Sequence, residues 1–178
     1  MKKHVALQLL IIALFAILPG SGFADEKNYF DIGAGAGTDL QGNGAKQFML
    51  APAYNVPITG YESLRLRIEA DMEFIDDRSK TIFVGGVAPF IRILPFRWDV
   101  KPFVEFGAGV NLLTNREIGS QQVGGPFIFS LMSGAGAETM IKKTPVSLSY
   151  RFRHLSNAGI YEHNQGFNSQ YIMVSVGF

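Results

Sequence analysis

Cysteine is absent from this 178-residue chain, which excludes disulfides, a thiolate nucleophile and thiolate metal ligation. Stability therefore has to come from packing and hydrogen bonding. Charge is scarce and balanced, with sixteen Lys and Arg against fifteen Asp and Glu making up 17% of the residues. That leaves no broad basic field of the kind that holds DNA or RNA, so nucleic acid is not an expected partner. Beyond the N-terminus no apolar run approaches the length of a membrane-spanning helix. If the chain enters a bilayer it must do so as a closed β-barrel, because hydrocarbon tolerates no unpaired strand edge.

The N-terminus has its own pattern. Lys2, Lys3 and His4 precede an apolar run over 5–18, then Pro19 and small residues, with Gly22 and Ala24 suitably placed for cleavage. Residues 1–24 thus read as a secretory signal peptide, leaving 25–178 as a single domain.

The clearest periodicity lies at 64–74, where Leu64, Leu66, Ile68, Ala70, Met72 and Phe74 interleave with Arg65, Arg67, Glu69, Asp71 and Glu73. Successive side chains of a strand point to opposite faces. Five charges on one face suit a solvated sandwich face, or a barrel lumen in which they neutralise one another. Near the C-terminus Ile172, Val174, Val176 and Phe178 oppose Tyr171, Met173, Ser175 and Gly177, and a final aromatic residue is usual for bacterial outer-membrane barrels. Between these, Val146, Leu148, Tyr150 and Phe152 share a face with His154 and Ser156, opposite Ser147, Ser149, Arg151 and Arg153. Arginines inside and phenylalanines outside are what a transmembrane barrel with a polar interior builds.

The pattern predicts an all-β fold, an eight-stranded antiparallel up-and-down transmembrane β-barrel over 25–178. Its strands are expected near 28–37, 45–56, 61–75, 81–95, 100–113, 126–140, 145–156 and 168–178. Connections at 57–60, 96–99 and 141–144 are tight, and those at 114–125 and 157–167 are long. Pro52, Pro89 and Pro102 fall inside predicted strands, where a missing N–H requires a bulge or a strand end. The parity of 81–95 is open. Gly33, Gly35 and Gly37 are followed by no Gly-Lys-Ser/Thr, so they read as space-saving inward residues rather than a phosphate loop. Lys101, Glu105, Glu138, Arg151 and Arg153 join the charges of 65–73 in an interior just wide enough for side chains. A plug of ion pairs is expected there rather than a conduction path. Tyr150, Trp98 and the phenylalanines read as lipid-facing or interfacial anchors.

One outward face carries groups that can do chemistry. With the signal removed the N-terminus is periplasmic, so odd strands run outward and deliver His154 and Ser156 near the outer surface, on the lipid side. The returning strand brings Asn168 and Gln170 back on that side. Two residues apart on one face, His and Ser have Cβ atoms roughly 7 Å apart, a gap their side chains can close. A serine hydroxyl needs an imidazole to take its proton, and the imidazole needs a third group to hold it. Glu162 and His163 are adjacent, but no further His or Cys lies nearby, so neither a metal site nor a cofactor is expected.

His-X-Ser alone is a weak motif. The string His154-Leu155-Ser156-Asn157-Ala158-Gly159, followed by Asn164 and Gly166 on an eight-stranded pattern behind a signal, is far more specific. It resembles the PagL family of outer-membrane lipid A 3-O-deacylases, sharply over 150–178 and in architecture elsewhere. The resemblance implies Ser156 as nucleophile and His154 as general base, with oxyanion-stabilising N–H groups around Asn157 and Gly159. It also implies that Asn164 and Gly166 shape the site. The implied reaction is metal-free hydrolysis of the 3-position acyl ester of lipid A, met as lipopolysaccharide in the outer leaflet; a homodimer is compatible with it.

One position departs from the family pattern. Asn168 stands where the triad glutamate is expected, fourteen residues after the histidine. Asparagine can orient a histidine but lacks the charge that stabilises imidazolium, and replacing a triad acid can cost about four orders of magnitude in rate. Glu162 is the alternative third member. Two other readings compete: a structural or adhesive barrel whose long loops make contacts, and a lipocalin-like periplasmic binder. The second needs a wet outer face, which the outward apolar positions of the third, seventh and eighth strands argue against.

Overall fold

The computed structural model describes residues 28–58, 63–96 and 98–178. The expected signal segment 1–24, and Thr59, Gly60 and Arg97 of the expected turns, lie outside these. Eight strands close into a barrel: β1 Tyr29–Asp39, β2 Lys46–Pro57, β3 Leu64–Asp76, β4 Thr81–Ile93, β5 Val100–Leu113, β6 Phe127–Ile141, β7 Thr144–Ser156 and β8 Phe167–Gly177. Each is antiparallel to its chain neighbours, and β8 returns to β1.

Burial follows the sequence alternation. Along β3 every residue from Arg65 to Glu73 at odd positions is buried, while Ile68 and its even-numbered neighbours lie on the outside. The exterior carries exposed Phe30, Phe48, Phe74, Phe106, Leu131 and Ile172, a band that water would not tolerate and hydrocarbon requires. The open parity of β4 is resolved with Ile82, Val84, Ala88, Phe90 and Arg92 inward.

Inside, Arg67, Arg92, Arg151 and Arg153 are among the largest fully buried side chains. Burying an ion costs several kcal/mol unless it is paired and hydrogen-bonded, and here carboxylates are shared. Glu105 accepts from Arg92 Nη2 and Arg151 Nη2, each at 2.8 Å. Glu69 accepts from Arg67 Nη2 at 2.8 Å and also pairs with Arg151. Arg153 pairs with Glu73 and donates to Asn111 Oδ1 at 2.6 Å. These side chains fill the lumen as a plug. Gly33, Gly35 and Gly37 do face inward: a Cβ on Gly37 would fall 2.6 Å from the Tyr171 ring. The bulk of β8 is thus accommodated by the bareness of β1.

Two expectations need correction. Pro52 and Pro89 sit without bulges: pairing lapses at Pro52 against β3 and at Pro89 against β5, and resumes in the same register on the far side. A residue in an antiparallel ladder bonds to only one neighbour, so one missing N–H interrupts one side of the strand. Pro102 lies two residues into β5, below the start of its pairing with β4, and is a strand-end proline as expected. The phenylalanines, in turn, are not all lipid-facing. Phe90, Phe103 and Phe167 are buried, with the Arg151 guanidinium 4.7 Å from the Phe90 ring and that of Arg92 4.0 Å from Phe103. Aromatic faces there serve as partners for buried cations.

The long connections, 114–126 and 157–166, share one end, the outer end of an outer-membrane barrel. The 77–80 turn at that end is as tight as those opposite, so only two connections carry the length difference. Under them Ile75, Val84, Leu113, Ile128, Leu155 and Phe167 form an apolar cluster, joined by Ile118 and Val123 from within 114–126. That connection is built rather than loose. Glu117–Ile118 and Gln121–Gln122 pair as a short ladder, and Val123 N–H donates to Arg116 C=O at 2.9 Å. Asp77 fastens it to the β3–β4 turn by accepting from Gly119 N–H at 3.1 Å.

Arg or Lys at the bilayer midplane of a barrel costs about 2–4 kcal/mol. Ile68→Arg is therefore expected to lower the folding yield in lipid vesicles well below that of Ile68→Ala, and equal yields would remove Ile68 from the hydrocarbon-facing set.

Desolvation pushes the Asp77 carboxyl up, but the Ser79 hydroxyl and the N–H groups of Gly119, Lys80 and Ser79 outweigh it and hold the group down to about 2. A depressed value means the clamp contributes fully above the ordinary carboxylate range and is lost as pH falls through about 2. Pepsin cleavage within 114–126 should therefore rise as pH is lowered from about 4 to about 2, and Asp77→Ala should abolish that dependence. A flat wild-type profile would contradict the clamp.

Candidate active site

The β7–β8 register sets Asn168 directly opposite His154. Both lie on the lipid-facing side at the outer end, half-buried. His154 Nδ1 is 2.7 Å from Asn168 Oδ1. An amide oxygen only accepts, so in the neutral ring this contact places the proton on Nδ1 and leaves the lone pair on Nε2. Asn168 is itself held twice by the β1–β2 connection: its N–H donates to Gln41 Oε1 at 3.1 Å, and its C=O accepts from Leu40 N–H at 3.0 Å. Gly166 closes the other side of the ring. It has φ of 70°, and a Cβ there would fall 2.8 Å from His154 Cε1, so neither the backbone nor the space admits a side chain.

Ser156 ends β7, two residues past His154 on the same face, opposite Phe129 of β6. Leu131, exposed on β6, stands opposite His154. Among the described residues no hydrogen bond holds Ser156 Oγ. Such contacts are often open without substrate and tighten when it binds.

The turn that follows is organised by Asn157, which is completely buried. Its Nδ2 donates to the carbonyls of Val123 at 2.9 Å and His163 at 2.6 Å, and its Oδ1 accepts from Gly159 N–H at 2.8 Å. Its own N–H donates to Asn164 Oδ1 at 2.9 Å. Ala158 and Gly159 follow in the left-handed region, with φ of 51° and 80°. The N–H groups of Asn157 and Gly159, expected as oxyanion donors, are therefore engaged inside the turn. Between them, Ala158 N–H has no acceptor among the described residues, and Asn164 keeps its amide nitrogen free.

Glu162 is exposed and makes no ion pair or hydrogen bond among the described residues, whereas His154 Nδ1 is occupied by Asn168. His163 contributes its backbone carbonyl alone. No group of three or more His, Cys, Asp or Glu is placed for a metal among the described residues.

Sequence reasoning missed the supports that other connections supply: Gln41, Val123, Gln165 and the Gly124-Gly125 pair. Gln122 N–H donates to Gln165 Oε1 at 2.7 Å and Gln165 N–H to Gln122 C=O at 3.0 Å. The single local signal was the glycine doublet in a predicted loop, which marks close backbone approach without naming the partner.

The family model described as lipid A 3-O-deacylase (PagL) matches residues 49–177. The lipid A deacylase PagL of Pseudomonas aeruginosa is 34% identical over 71 residues, 40% of this chain and 39% of that protein, so the match spans well under half of that relative. Among solved structures, that of the outer membrane enzyme PagL superposes with a TM-score of 0.73 at 23% identity, covering 82% of this chain and 97% of the other. Neisserial surface protein A gives a TM-score of 0.59 at 15% identity, covering 84% and 94%. The N-terminal barrel domain of Pseudomonas aeruginosa OprF gives 0.51 at 14%, covering 86% and 100%. At these identities the likeness in structure is one of fold.

Proposed function

The chain belongs to the lipid A 3-O-deacylase (PagL) family, and on that footing we propose that it is a serine esterase of the bacterial outer membrane. Its substrate is the 3-position acyl ester of lipid A, approached from the outer leaflet. The observation that carries this reading is the 2.7 Å contact between His154 Nδ1 and Asn168 Oδ1, beside Ser156 on the lipid-facing surface. A soluble ester would not require its site there, whereas an acyl chain already in the membrane meets it without leaving hydrocarbon.

In the proposed reaction Ser156 Oγ attacks the ester carbonyl carbon while His154 Nε2 takes the hydroxyl proton. The oxyanion that forms is met by Ala158 N–H and the Asn164 amide, donors whose directions are fixed before substrate arrives. Collapse breaks the bond to the sugar oxygen, which leaves with the proton from Nε2. Water then attacks the acyl-enzyme, again giving its proton to Nε2, and the second collapse releases a carboxylic acid and restores Ser156. The Nδ1 proton stays throughout, shared with Asn168. An amide dipole stabilises the imidazolium less than a carboxylate does, so the chemical step is slow relative to a complete triad. The scheme draws on no cofactor.

The neutral third position favours one rival, a structural barrel that retains these residues without turnover. Mass spectrometry of lipid A from cells with and without the protein separates the two: loss of one hydroxy-acyl chain is expected, and unchanged lipid A supports the rival. Ser156→Ala and His154→Ala should each abolish that loss while the heat-modifiable barrel remains, because both sit at a strand end away from the lumen. Substantial deacylation by purified Ser156→Ala would end the nucleophile assignment.

The third member has a directional test in turnover on lipid A in detergent. Asn168→Glu keeps the contact and adds charge, so its rate should equal or exceed wild type; Asn168→Leu removes the orienting bond and should fall well below. Glu162→Gln should change little. If Glu162→Gln is instead the damaging change and Asn168→Leu is silent, the acid comes from the loop.

A further inference from the structure

We infer that the β5–β6 connection is part of the catalytic apparatus, its residues 122–125 acting as positioning residues for the turn that presents Ala158 N–H and the Gly166 wall of the His154 ring. The inference rests on the Ser156–His154 reading and deepens it. The turn at 157–166 contains no helix or strand and has three residues at positive φ, Ala158, Gly159 and Gly166. A chain so built does not hold one geometry unaided. What holds it lies outside it in sequence.

Three contacts come from the other connection. Val123 C=O takes one Nδ2 proton of the buried Asn157 at 2.9 Å, fixing the residue immediately before Ala158. Gln122 and Gln165 exchange two hydrogen bonds, at 2.7 and 3.0 Å, fixing the residue immediately before Gly166. Gly124, with φ of 81°, lets the two backbones touch: a Cβ there would lie 2.8 Å from Asn157 Nδ2 and would collide with the His163 carbonyl. The support is itself anchored, since Val123 is fully buried in the apolar cluster and Gly119 N–H is bound to Asp77 at 3.1 Å. The connection therefore acts as a shim between the apolar plug and the catalytic turn. Both the oxyanion donor and the imidazole wall depend on it, while neither of its own side chains reaches the reacting atoms.

The test uses the full-length protein, refolded or extracted in detergent, with lipid A and with a p-nitrophenyl acyl ester as substrates. A displacement near 1 Å can lower rate by roughly a hundred-fold, so loss of one clamp bond in Gln165→Leu is expected to lower kcat by roughly ten-fold or more on both substrates. KM should stay within about two-fold, because the interaction acts on the transition state rather than on ground-state binding. Gln165→Glu keeps an oxygen to accept Gln122 N–H and should restore most of the rate; Gly124→Ala should fall at least as far as Gln165→Leu. Glu117→Gln, which keeps the backbone pairing to Gln122 and loses the exposed ion pair with Lys80, should match wild type. Wild-type kcat in both Gln165→Leu and Gly124→Ala, or a rise in KM alone, would overturn the inference. So would loss of heat modifiability in either variant, which would make the connection a folding element. Ser156→Ala run alongside keeps the two readings apart: activity there sinks the site assignment, whereas an inactive Ser156→Ala with unaffected Gln165→Leu and Gly124→Ala sinks only this inference.

Discussion

The ion pairs inside the barrel decide where everything else can be. Arg151 and Arg153 are fully buried against Glu69, Glu105 and Glu73, and they alternate along β7 with Tyr150, Phe152, His154 and Ser156. A slip of one residue would exchange the faces of the whole strand. It would put two guanidinium groups into hydrocarbon, strip several carboxylates of their partners and turn the imidazole into the lumen. Unpairing a buried charge costs about 3–5 kcal/mol, so the register that fixes the site is among the most strongly enforced features of the molecule. The outward face with His154 and Ser156 needs no stabilising interaction of its own to be placed, since the opposite face of the same strand places it.

The same wall explains why no carboxylate stands beside His154. Glu73 and Asp71 carry carboxylates of the right type, yet both are buried on the lumen side and committed to Arg153. A carboxylate for His154 has to come from an outward position on β6 or β8 or from a connection at the outer end, and the β6 position opposite is Leu131. At the β8 position stands Asn168, and its oxygen already holds the imidazole at 2.7 Å. Orientation is thus preserved where charge is not, and these are separable contributions: the first sets the tautomer, the second stabilises the imidazolium.

The fold was legible because it rests on a period of two. Arg65 to Glu73 and Leu64 to Phe74 could be assigned to faces by counting, and the same count from His154 back to Val146, together with an antiparallel return, brought Asn168 alongside the histidine. Counting fails where the deciding fact is long-range. Pro52 and Pro89 looked disruptive because sequence does not say that only one flank of a strand loses its bond. Phe90 and Phe103 looked lipid-facing because their cation partners, Arg151 and Arg92, lie on other strands. At the site, the residue types were readable, but not which N–H groups remain free. That depends on Asn157 using its amide to bind Val123 and His163 while its neighbours' donors are consumed around it.

The outer end joins two tasks that a small membrane barrel has to perform with few residues. Ile118 and Val123 enter the apolar cluster and seal the lumen above the ion pairs, keeping water from the low-dielectric interior in which those pairs are strong. Val123 carries its side chain into that seal and its carbonyl to Asn157. One residue therefore ties the closure of the barrel to the geometry of the turn beside Ser156. Loosening the seal would loosen the turn, and a site on the outside of the wall, open to lipid, is made rigid from within.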